Sequence, residues 1–291
     1  MKVVVFGATG TVGQALLPVL AREHDVVAVS RGERADAGGV RWARADVADA
    51  ASVRAALQDA DVAYYLVHSL GESDFEQRDR VAAETVAREA SAAGLRQIVY
   101  LGGLGDDSPE LSRHLRSRTE TGAALASGDV PVTTLRAAMV VGAGSAAFET
   151  ILALVNRLPA MICPRWVSTP TQPIAIDDVV AYLAAACGND ALLGQGFDVG
   201  GPDVMTYRQM IERIGMIRGK RPLIVEVPVL TPRLSSYWLH LVTPVGASVA
   251  RPLIEGLRNE TVVRDPRILD LVPLTLTPFE DAVRAAIAGP G

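Results

Sequence analysis

The sequence contains few cysteines and histidines, and their spacing argues against several kinds of site. The two cysteines, Cys163 and Cys187, stand far apart and form no CxxC pair. A disulfide framework and a cysteine-rich zinc site therefore do not fit. The four histidines are equally scattered, with neither an HExxH motif nor an i, i+4 pair. We expect no structural metal in this chain.

The sequence also lacks long apolar runs and an excess of basic residues. No segment approaches the roughly 20 apolar residues of a transmembrane helix, and the apolar start, Val3–Phe6, leads into glycines rather than a signal-peptide core. With 28 Lys and Arg against 33 Asp and Glu, the net charge is -5, whereas general nucleic-acid binding requires a basic face. We expect a cytoplasmic protein with neither nucleic acid nor membrane as partner; a homo-oligomer is possible.

Short apolar runs alternate with helical stretches over the first two thirds of the chain. Strands are predicted at Val3–Phe6, Asp25–Ser30, Val40–Ala45, Val62–Val67, Gln97–Leu101 and Val132–Leu135. Helices are predicted at Thr11–Arg22, Phe75–Ala93 and Leu111–Ser127. This alternation, without hairpin turns, indicates right-handed βαβ crossovers. We therefore predict an α/β fold with a doubly wound parallel sheet of the Rossmann type.

The pattern loosens after Gly142, where prolines divide the chain into short pieces. Further elements are predicted at Gln172–Ile176 (strand), Asp177–Cys187 (helix), Gly196–Val199 (strand) and from Thr206 (helix), and the segment Leu234–Val242 is expected to pack between two lobes. We predict a Rossmann domain over residues 1–155 and a smaller α/β lobe over 156–291. This lobe would be interleaved with the first domain and would bind a substrate or partner.

A glycine-rich segment, VVVFGATGTVG, joins the first predicted strand to the first helix. Gly7 allows a tight turn, Gly10 lets the backbone approach a pyrophosphate, and Gly13 lets the helix pack closely on the strand. The N–H groups and the positive end of the helix dipole then face the phosphates. We predict that a dinucleotide binds to this turn, which consists of Gly7, Ala8, Thr9, Gly10, Thr11, Val12 and Gly13.

The residues after the second strand indicate whether NAD(H) or NADP(H) is the cofactor. NAD sites carry an acidic residue about 20 positions beyond the glycines, but here Arg31 occupies that place and Arg34 follows. Because guanidinium groups suit a 2′-phosphate, NADP(H) is the preferred cofactor; NAD(H) is possible if Glu33 binds the ribose. Asp46 and Val47, after the third strand, are predicted to contact the adenine, and the alternative for Asp46 is a helix N-cap.

Several of these segments resemble the atypical short-chain dehydrogenase/reductases. They are GATGxxG, the arginine after the second strand, the Asp-Val pair after the third, and IAIDDVVAYL near Asp177. The segments HLRSRTETG, VPVTTLRAAMVVGAGSAAFE and RPLIEGLRNETVVRD resemble the NmrA-like or NAD(P)H-binding group in particular. The resemblance covers most of the chain and implies a lineage and a cofactor, but not a substrate.

The same resemblance implies a catalytic helix after the fifth strand, where reductases and epimerases of this kind usually carry Tyr-x-x-x-Lys. The tyrosine exchanges a proton with the substrate, and the lysine lowers the pKa of the tyrosine and binds the nicotinamide ribose. In this sequence His114 stands at the tyrosine position and Arg118 at the lysine position. The usual serine is also absent, because the fifth strand ends in LGGLG; Gly102 in that segment is assigned to the cofactor.

His114 has two interpretations. An imidazole is a competent acid or base near neutral pH, and Arg118 would lower its pKa by charge repulsion, so His114 is the preferred proton donor. Alternatively, His114 only hydrogen-bonds the cofactor, and Arg118 binds the ribose or Glu120. His68, at the end of the fourth strand, is predicted near the nicotinamide, with an ordinary loop role as the alternative.

Charged residues near two other strands have structural interpretations as well. Arg136, at the end of the sixth strand, either contacts the cofactor or a substrate acid or forms a structural ion pair. Asp177 and Asp178 are predicted to form the N-cap of the helix that follows them.

The sequence leaves two functions open. The first is an NADPH-dependent reductase of a small, fairly apolar carbonyl or conjugated compound, with His114 as proton donor. The second is a non-catalytic NADP(H) sensor that acts through a partner, because both the tyrosine and the serine are missing. Since a fold hosts many functions, only the site distinguishes them.

Overall fold

The computed structural model describes residues 1–69, 74–105, 111–227 and 256–289. The strands are β1 (Lys2–Phe6), β2 (Asp25–Ser30), β3 (Val40–Arg44), β4 (Val62–Tyr65), β5 (Gln97–Gly103), β6 (Val132–Ala137), β7 (Val140–Val141), β8 (Ala160–Pro164), β9 (Pro170–Thr171), β10 (Ile174–Ala175), β11 (Gly196–Val199), β12 (Met205–Thr206) and β13 (Leu223–Val227). The α-helices are α1 (Thr11–Leu20), α2 (Ala50–Leu57), α3 (Phe75–Ala93), α4 (Arg113–Leu125), α5 (Ala146–Arg157), α6 (Ile176–Ala186), α7 (Tyr207–Ile217), α8 (Ile268–Leu271) and α9 (Phe279–Ala288).

The main sheet has seven strands in the order β11-β6-β5-β4-β1-β2-β3. All its neighbouring pairs are parallel. The predicted doubly wound Rossmann sheet is therefore confirmed. The chain winds outward from β1 in both directions, so a crevice opens at the carboxyl ends of β1 and β4, where ligands bind in folds of this type.

Both faces of this sheet are covered, which explains the uninterrupted apolar run of β1. Alternate residues of a strand point to opposite faces. Val3 and Val5 lie in one buried cluster with residues of α1 and α6, while Val4 and Phe6 lie in a second cluster with residues of α2, α3 and α4. A strand buried on both sides needs apolar residues at every position.

The C-terminal part of the chain contributes to the main sheet and also builds a separate core. β11 pairs with β6 at the sheet edge, and α6 packs against α1. A third cluster of buried residues joins α5, α7 and α9. The predicted strand near Gln172–Ile176 is present as the two-residue β10. The division at residue 155 remains a prediction, and Leu234–Val242 lies outside the described residues.

The predicted N-cap at Asp177 and Asp178 is wrong. The N-cap of α6 is Ala175, and both aspartates lie in the first helical turn. The buried carboxylate of Asp178 instead accepts hydrogen bonds from the backbone N–H and the hydroxyl of Thr277, at 2.8 and 2.9 Å. A partner 99 residues away therefore replaces the local capping bond.

Within the described ranges, no helix has the length and apolar character needed to cross a bilayer. The same part of the chain holds no group of three or more His, Cys, Asp or Glu side chains that would suit a metal ion.

Candidate active site

The glycine turn packs so closely that side chains would not fit at its first and third glycines. Gly7 follows β1 with a φ of +81°, and a Cβ atom there would lie 2.6 Å from the backbone of Leu66. A Cβ atom at Gly13 would lie 2.4 Å from the carbonyl oxygen of Gly7. Both distances are far below van der Waals contact. The roles predicted for these glycines thus match the observed packing of α1 on β1 and the end of β4.

The first turn of α1 leaves its end open for an anion. Gly10 is the N-cap, so no capping side chain covers the N–H groups of the helix. Two side-chain bonds fix the turn: the hydroxyl of Thr11 donates to the Gly144 carbonyl at 2.8 Å, and Nε2 of Gln14 donates to the Thr9 carbonyl at 2.6 Å. This cradle of backbone N–H groups at the positive end of the helix dipole fits a pyrophosphate.

The residues predicted to hold the adenosine half follow β2 and β3 at the same sheet edge. Arg31 is exposed one residue beyond β2, and the guanidinium of Arg34 lies 5.1 Å from the ring centroid of Trp42. The carboxylate of Asp46 accepts a hydrogen bond from the Ala48 N–H at 3.0 Å. Asp49 rather than Asp46 is the N-cap of α2, which removes the capping alternative for Asp46.

A cavity of about 410 Å³ extends from the glycine turn to the start of α7 and the segment before α8. It brings together nine of the residues that the sequence predicts: Gly7, Gly10, Thr11, Val12, Gly13, His68, Gly102, His114 and Arg118. The other predicted site residues lie outside this cavity: Ala8, Thr9, Arg31, Arg34, Asp46 and Val47. The cavity thus contains the residues that the sequence assigns to the pyrophosphate and nicotinamide end of a dinucleotide site.

Both imidazoles in the cavity are neutral at physiological pH. Burial, followed by the charge of Arg118 and the neighbouring His68, lowers the pKa of His114 from 6.5 to about 3. Desolvation within the cavity, followed by the charge of Arg118, lowers the pKa of His68 from 6.5 to about 4. His68 is nevertheless an exposed residue by its surface area, so it is less well shielded from solvent than the half-buried His114. The predicted effect of Arg118 on His114 is confirmed in direction, but burial is the larger cause.

Arg118 is held against β5 by several contacts. Nη2 donates a hydrogen bond to the Leu101 carbonyl, and the guanidinium lies 5.4 Å from the ring centroid of Tyr100. The Tyr100 hydroxyl donates back to the Arg118 carbonyl at 2.8 Å. Arg136, by contrast, forms an ion pair with Asp198 at 2.7 Å between β6 and β11, as its structural interpretation predicts.

Several residues that line the cavity are not predicted by the sequence. Met139 follows β6, Tyr207 begins α7, and Leu257 and Thr261 come from the segment before α8. The capping pattern Thr206-x-x-Gln209 identifies the start of α7. No local pattern, however, places that helix beside residues that lie about 100 to 200 positions earlier in the chain.

Comparison with known proteins supports the cofactor site. Residues 7–140 match the model of the NAD(P)H-binding family. A relative from Arabidopsis thaliana, named NADH dehydrogenase [ubiquinone] 1 alpha subcomplex subunit 9, mitochondrial, is 26% identical over 98% of this chain and 78% of its own length. A Streptomyces griseus protein, named (4-alkanoyl-5-oxo-2,5-dihydrofuran-3-yl)methyl phosphate reductase, is 27% identical over 77% of this chain and 76% of its own length.

Two similar solved structures contain a nicotinamide cofactor. The triphenylmethane reductase of Citrobacter sp., complexed with NADP(H), has a TM-score of 0.78 and 18% identity over 98% of this chain and 100% of its own. An NADPH-dependent quinone oxidoreductase of Escherichia coli, complexed with NADPH, has a TM-score of 0.77 and 21% identity, and the match covers 98% of this chain and 99% of its own. At these identities the likeness establishes the fold.

Proposed function

We propose that the protein is an NADPH-dependent reductase of a small, fairly apolar carbonyl or conjugated compound. The match of residues 7–140 to the model of the NAD(P)H-binding family supports the cofactor. The observation that carries the proposal is the cavity in which the glycine turn, two neutral imidazoles and apolar walls meet. The reductase named among the relatives and the reductases of the same fold support it.

The chain would hold the cofactor along the carboxyl edge of the sheet. The glycine turn would bind the pyrophosphate, Arg31 and Arg34 the 2′-phosphate, and Asp46 with Val47 the adenine. The bound cofactor supplies a hydride to a carbon atom of the substrate. Preference for NADPH over NADH rests on the two arginines, because a guanidinium pairs with a phosphate and gains nothing comparable from a hydroxyl.

His114 would act on the substrate oxygen through a neutral N–H group. With its pKa lowered to about 3, the ring carries no dissociable imidazolium proton at neutral pH, so its contribution is a hydrogen bond that strengthens as negative charge develops on the oxygen. Arg118, fixed to the Leu101 carbonyl, would keep that ring neutral by repulsion. This refines the proton-donor hypothesis: His114 supplies a hydrogen bond to the developing alkoxide, and the proton that completes the reduction comes from water.

Steady-state oxidation of NADPH over a panel of quinones, enones and ketones tests the proposal. We expect turnover of at least one class, and we expect His114→Ala to lower kcat by about 10²- to 10³-fold, the usual effect of losing such a donor. His24→Gln, a change outside the cavity, is the matched control and should keep wild-type kcat. Absence of turnover across the panel, or an unchanged kcat in His114→Ala, would refute the mechanism.

A second candidate is a non-catalytic NADP(H) sensor or subunit. It is favoured by the missing tyrosine and serine and by the relative that is named as a subunit of NADH dehydrogenase. A sensor should bind a protein partner with different affinities in the apo, oxidised and reduced forms, and should leave the whole panel unreduced. Equal partner affinity in all three forms would count against it.

A further inference from the structure

Three hydroxyl groups from distant parts of the chain meet at the C-terminal wall of the cavity. Oγ1 of Thr171 and Oγ1 of Thr261 lie 2.8 Å apart, and both threonine hydroxyls lie close enough to the hydroxyl of Tyr207 to lower the pKa of its phenol. All three residues are more than nine-tenths buried, yet Tyr207 and Thr261 line the cavity. We call this set the hydroxyl string.

The backbone around the hydroxyl string is firmly fixed. The Gln172 N–H donates to the Thr261 carbonyl at 2.9 Å, and the Thr261 N–H donates to the Pro170 carbonyl at 3.2 Å. The same C-terminal segment reaches the start of α4, where the Ser112 N–H donates to Oδ1 of Asn259 at 3.0 Å. The string and the helix that carries His114 are therefore positioned by one segment of the chain.

Tyr207 is itself held in one orientation. It is the first residue of α7, directly after Thr206, which forms a capping box with Gln209. Its ring meets the Trp166 ring edge to face, with centroids 6.4 Å apart and an interplanar angle of 83°. A side chain that is fixed at both its backbone and its ring presents its hydroxyl with little loss of conformational entropy.

Other hydroxyls along the cavity already donate to the protein backbone. Oγ1 of Thr11 donates to the Gly144 carbonyl at 2.8 Å, and Oγ of Ser145 donates to the Val140 carbonyl at 2.7 Å. Among the described lining residues, the side-chain donors left for a ligand are therefore His68, His114 and Arg118, together with Tyr207 and Thr261 of the hydroxyl string. The same cavity is lined by apolar side chains that include Met139 and Leu257.

Either threonine can be the donor in the bond between Thr171 and Thr261, and one of the two directions leaves the proton of Tyr207 for a ligand. Burial raises the pKa of the Tyr207 phenol, while the two threonine hydroxyls lower it by a smaller amount, so the phenol stays protonated at neutral pH. If Thr171 donates to Thr261 and Thr261 donates to Tyr207, the proton of Tyr207 remains for a ligand. Hydrogen bonds in such a chain polarise one another, which makes the terminal group a stronger donor.

We propose that Tyr207 donates a hydrogen bond to a second oxygen of the substrate, distinct from the oxygen that meets His114. The site therefore selects flat, apolar compounds that carry oxygen acceptors at two separated positions, as a 1,4-dicarbonyl ring does. Tyr207 is a specificity-determining residue for the reductase proposed above, and the inference rests on that function for the identity of the ligand.

Equilibrium binding in the presence of NADP+, which supplies no hydride, tests this subsite without turnover. The probes are 1,4-naphthoquinone, with two carbonyl oxygens, and 1-tetralone, with one. We expect Tyr207→Phe to raise the Kd of the quinone by about 2- to 12-fold, the usual worth of one net hydrogen bond, and to change the Kd of the tetralone by less than twofold. Thr261→Val, which removes the donor to Tyr207, should act in the same direction with a smaller change.

Tyr182→Phe is the matched control, since Tyr182 is buried in α6 away from the cavity; both Kd values should stay at wild type. Equal changes for both probes in Tyr207→Phe, no change for the quinone, or no binding of the quinone to the wild type would each overturn the proposal. Quinone binding that depends on Tyr207 without NADPH oxidation would refute the reductase and keep the subsite. NADPH oxidation at an unchanged rate in Tyr207→Phe would refute the subsite and keep the reductase.

Discussion

At the scale of single residues, we propose that Arg31 determines the preference for NADPH over NADH. Its side chain is exposed just beyond β2, so its charge is free to meet a 2′-phosphate at the adenosine end of the crevice. Replacing Arg31 by Ala should raise the Kd of NADPH by about 10- to 100-fold, since a hydrogen bond to a charged group is worth about 1.5–3 kcal/mol. The Kd of NADH should change little. Fluorescence titration of both cofactors measures the two values.

The control for Arg31 is Arg22→Ala, because Arg22 is an exposed arginine that follows α1 at the amino edge of the sheet. Arg22→Ala removes the same charge as Arg31→Ala and should leave the Kd values of NADPH and NADH unchanged. If Arg31→Ala weakened NADH as much as NADPH, the 2′-phosphate would not be its partner.

His114 should also make the fold sensitive to acid. Its pKa is about 3 in the folded protein and near 6.5 in the unfolded chain, so the unfolded chain binds the proton first as the pH falls. Stability is therefore lost between pH 6.5 and about 3 and is fully present above that window. We expect His114→Gln to recover about 1–2 kcal/mol of unfolding free energy at pH 5 relative to pH 7.5.

Urea denaturation of wild type and His114→Gln at the two pH values gives this difference directly. The comparison isolates the imidazole, because the carboxylates that also titrate in acid are common to both proteins. An identical pH dependence in the two proteins would show that His114 is solvated as in a peptide.

At the scale of single elements, α1 depends on close approach to β1. A Cβ atom at Gly13 would meet the Gly7 carbonyl at 2.4 Å and Ala8 at 2.8 Å, and both are backbone atoms that cannot rotate away. Gly13→Ala should displace the N-terminus of α1, lower stability by about 1–3 kcal/mol and raise the Kd of NADPH more than tenfold. Thermal unfolding and cofactor titration measure the two effects.

Gly32 offers the control for this prediction, since a Cβ atom there would meet nothing within 4 Å. Gly32→Ala should leave stability near wild type. A Gly13→Ala protein that binds NADPH normally would contradict the role assigned to the packing of α1.

At the scale of the whole molecule, Asp178 joins the C-terminal segment before α9 to α6, the helix that packs against α1. Its carboxylate accepts two hydrogen bonds from Thr277, just before α9, and it is 7% exposed. Asp178→Ala leaves both donors without a partner, and we expect it to lower the free energy of unfolding by about 2–4 kcal/mol. Asp177→Ala, on the exposed side of the same turn, should cost less than about 0.5 kcal/mol.

Chemical denaturation of the two variants tests this difference. The Kd of NADPH should remain at wild type in both, because neither aspartate lines the cavity. Equal stability of the two variants would show that the bonds to Thr277 add nothing to the fold.

Local patterns predicted the sheet and the cofactor turn well. The runs that became β1, β2 and the helix Phe75–Ala93 match within a residue, because periodicity and glycine stops act over a few neighbouring residues. Element ends were less accurate: β4 ends at Tyr65 rather than Val67. His68 was placed near the site by a general rule, since residues after parallel strands meet at one edge of the sheet. His114 was placed there by the resemblance of its helix to the catalytic helix of the short-chain dehydrogenase/reductases.

The sequence by itself determined the parallel α/β fold and the glycine turn, because each depends on short-range spacing or on a rule of sheet topology. Only the tertiary structure decided that the pKa of both imidazoles is lowered, that Asp178 binds Thr277 instead of capping its helix, and that Thr171 and Thr261 meet beside Tyr207. Burial and contacts between segments tens to hundreds of residues apart leave no periodic trace in the chain. They exist only once these segments have packed together in the folded chain.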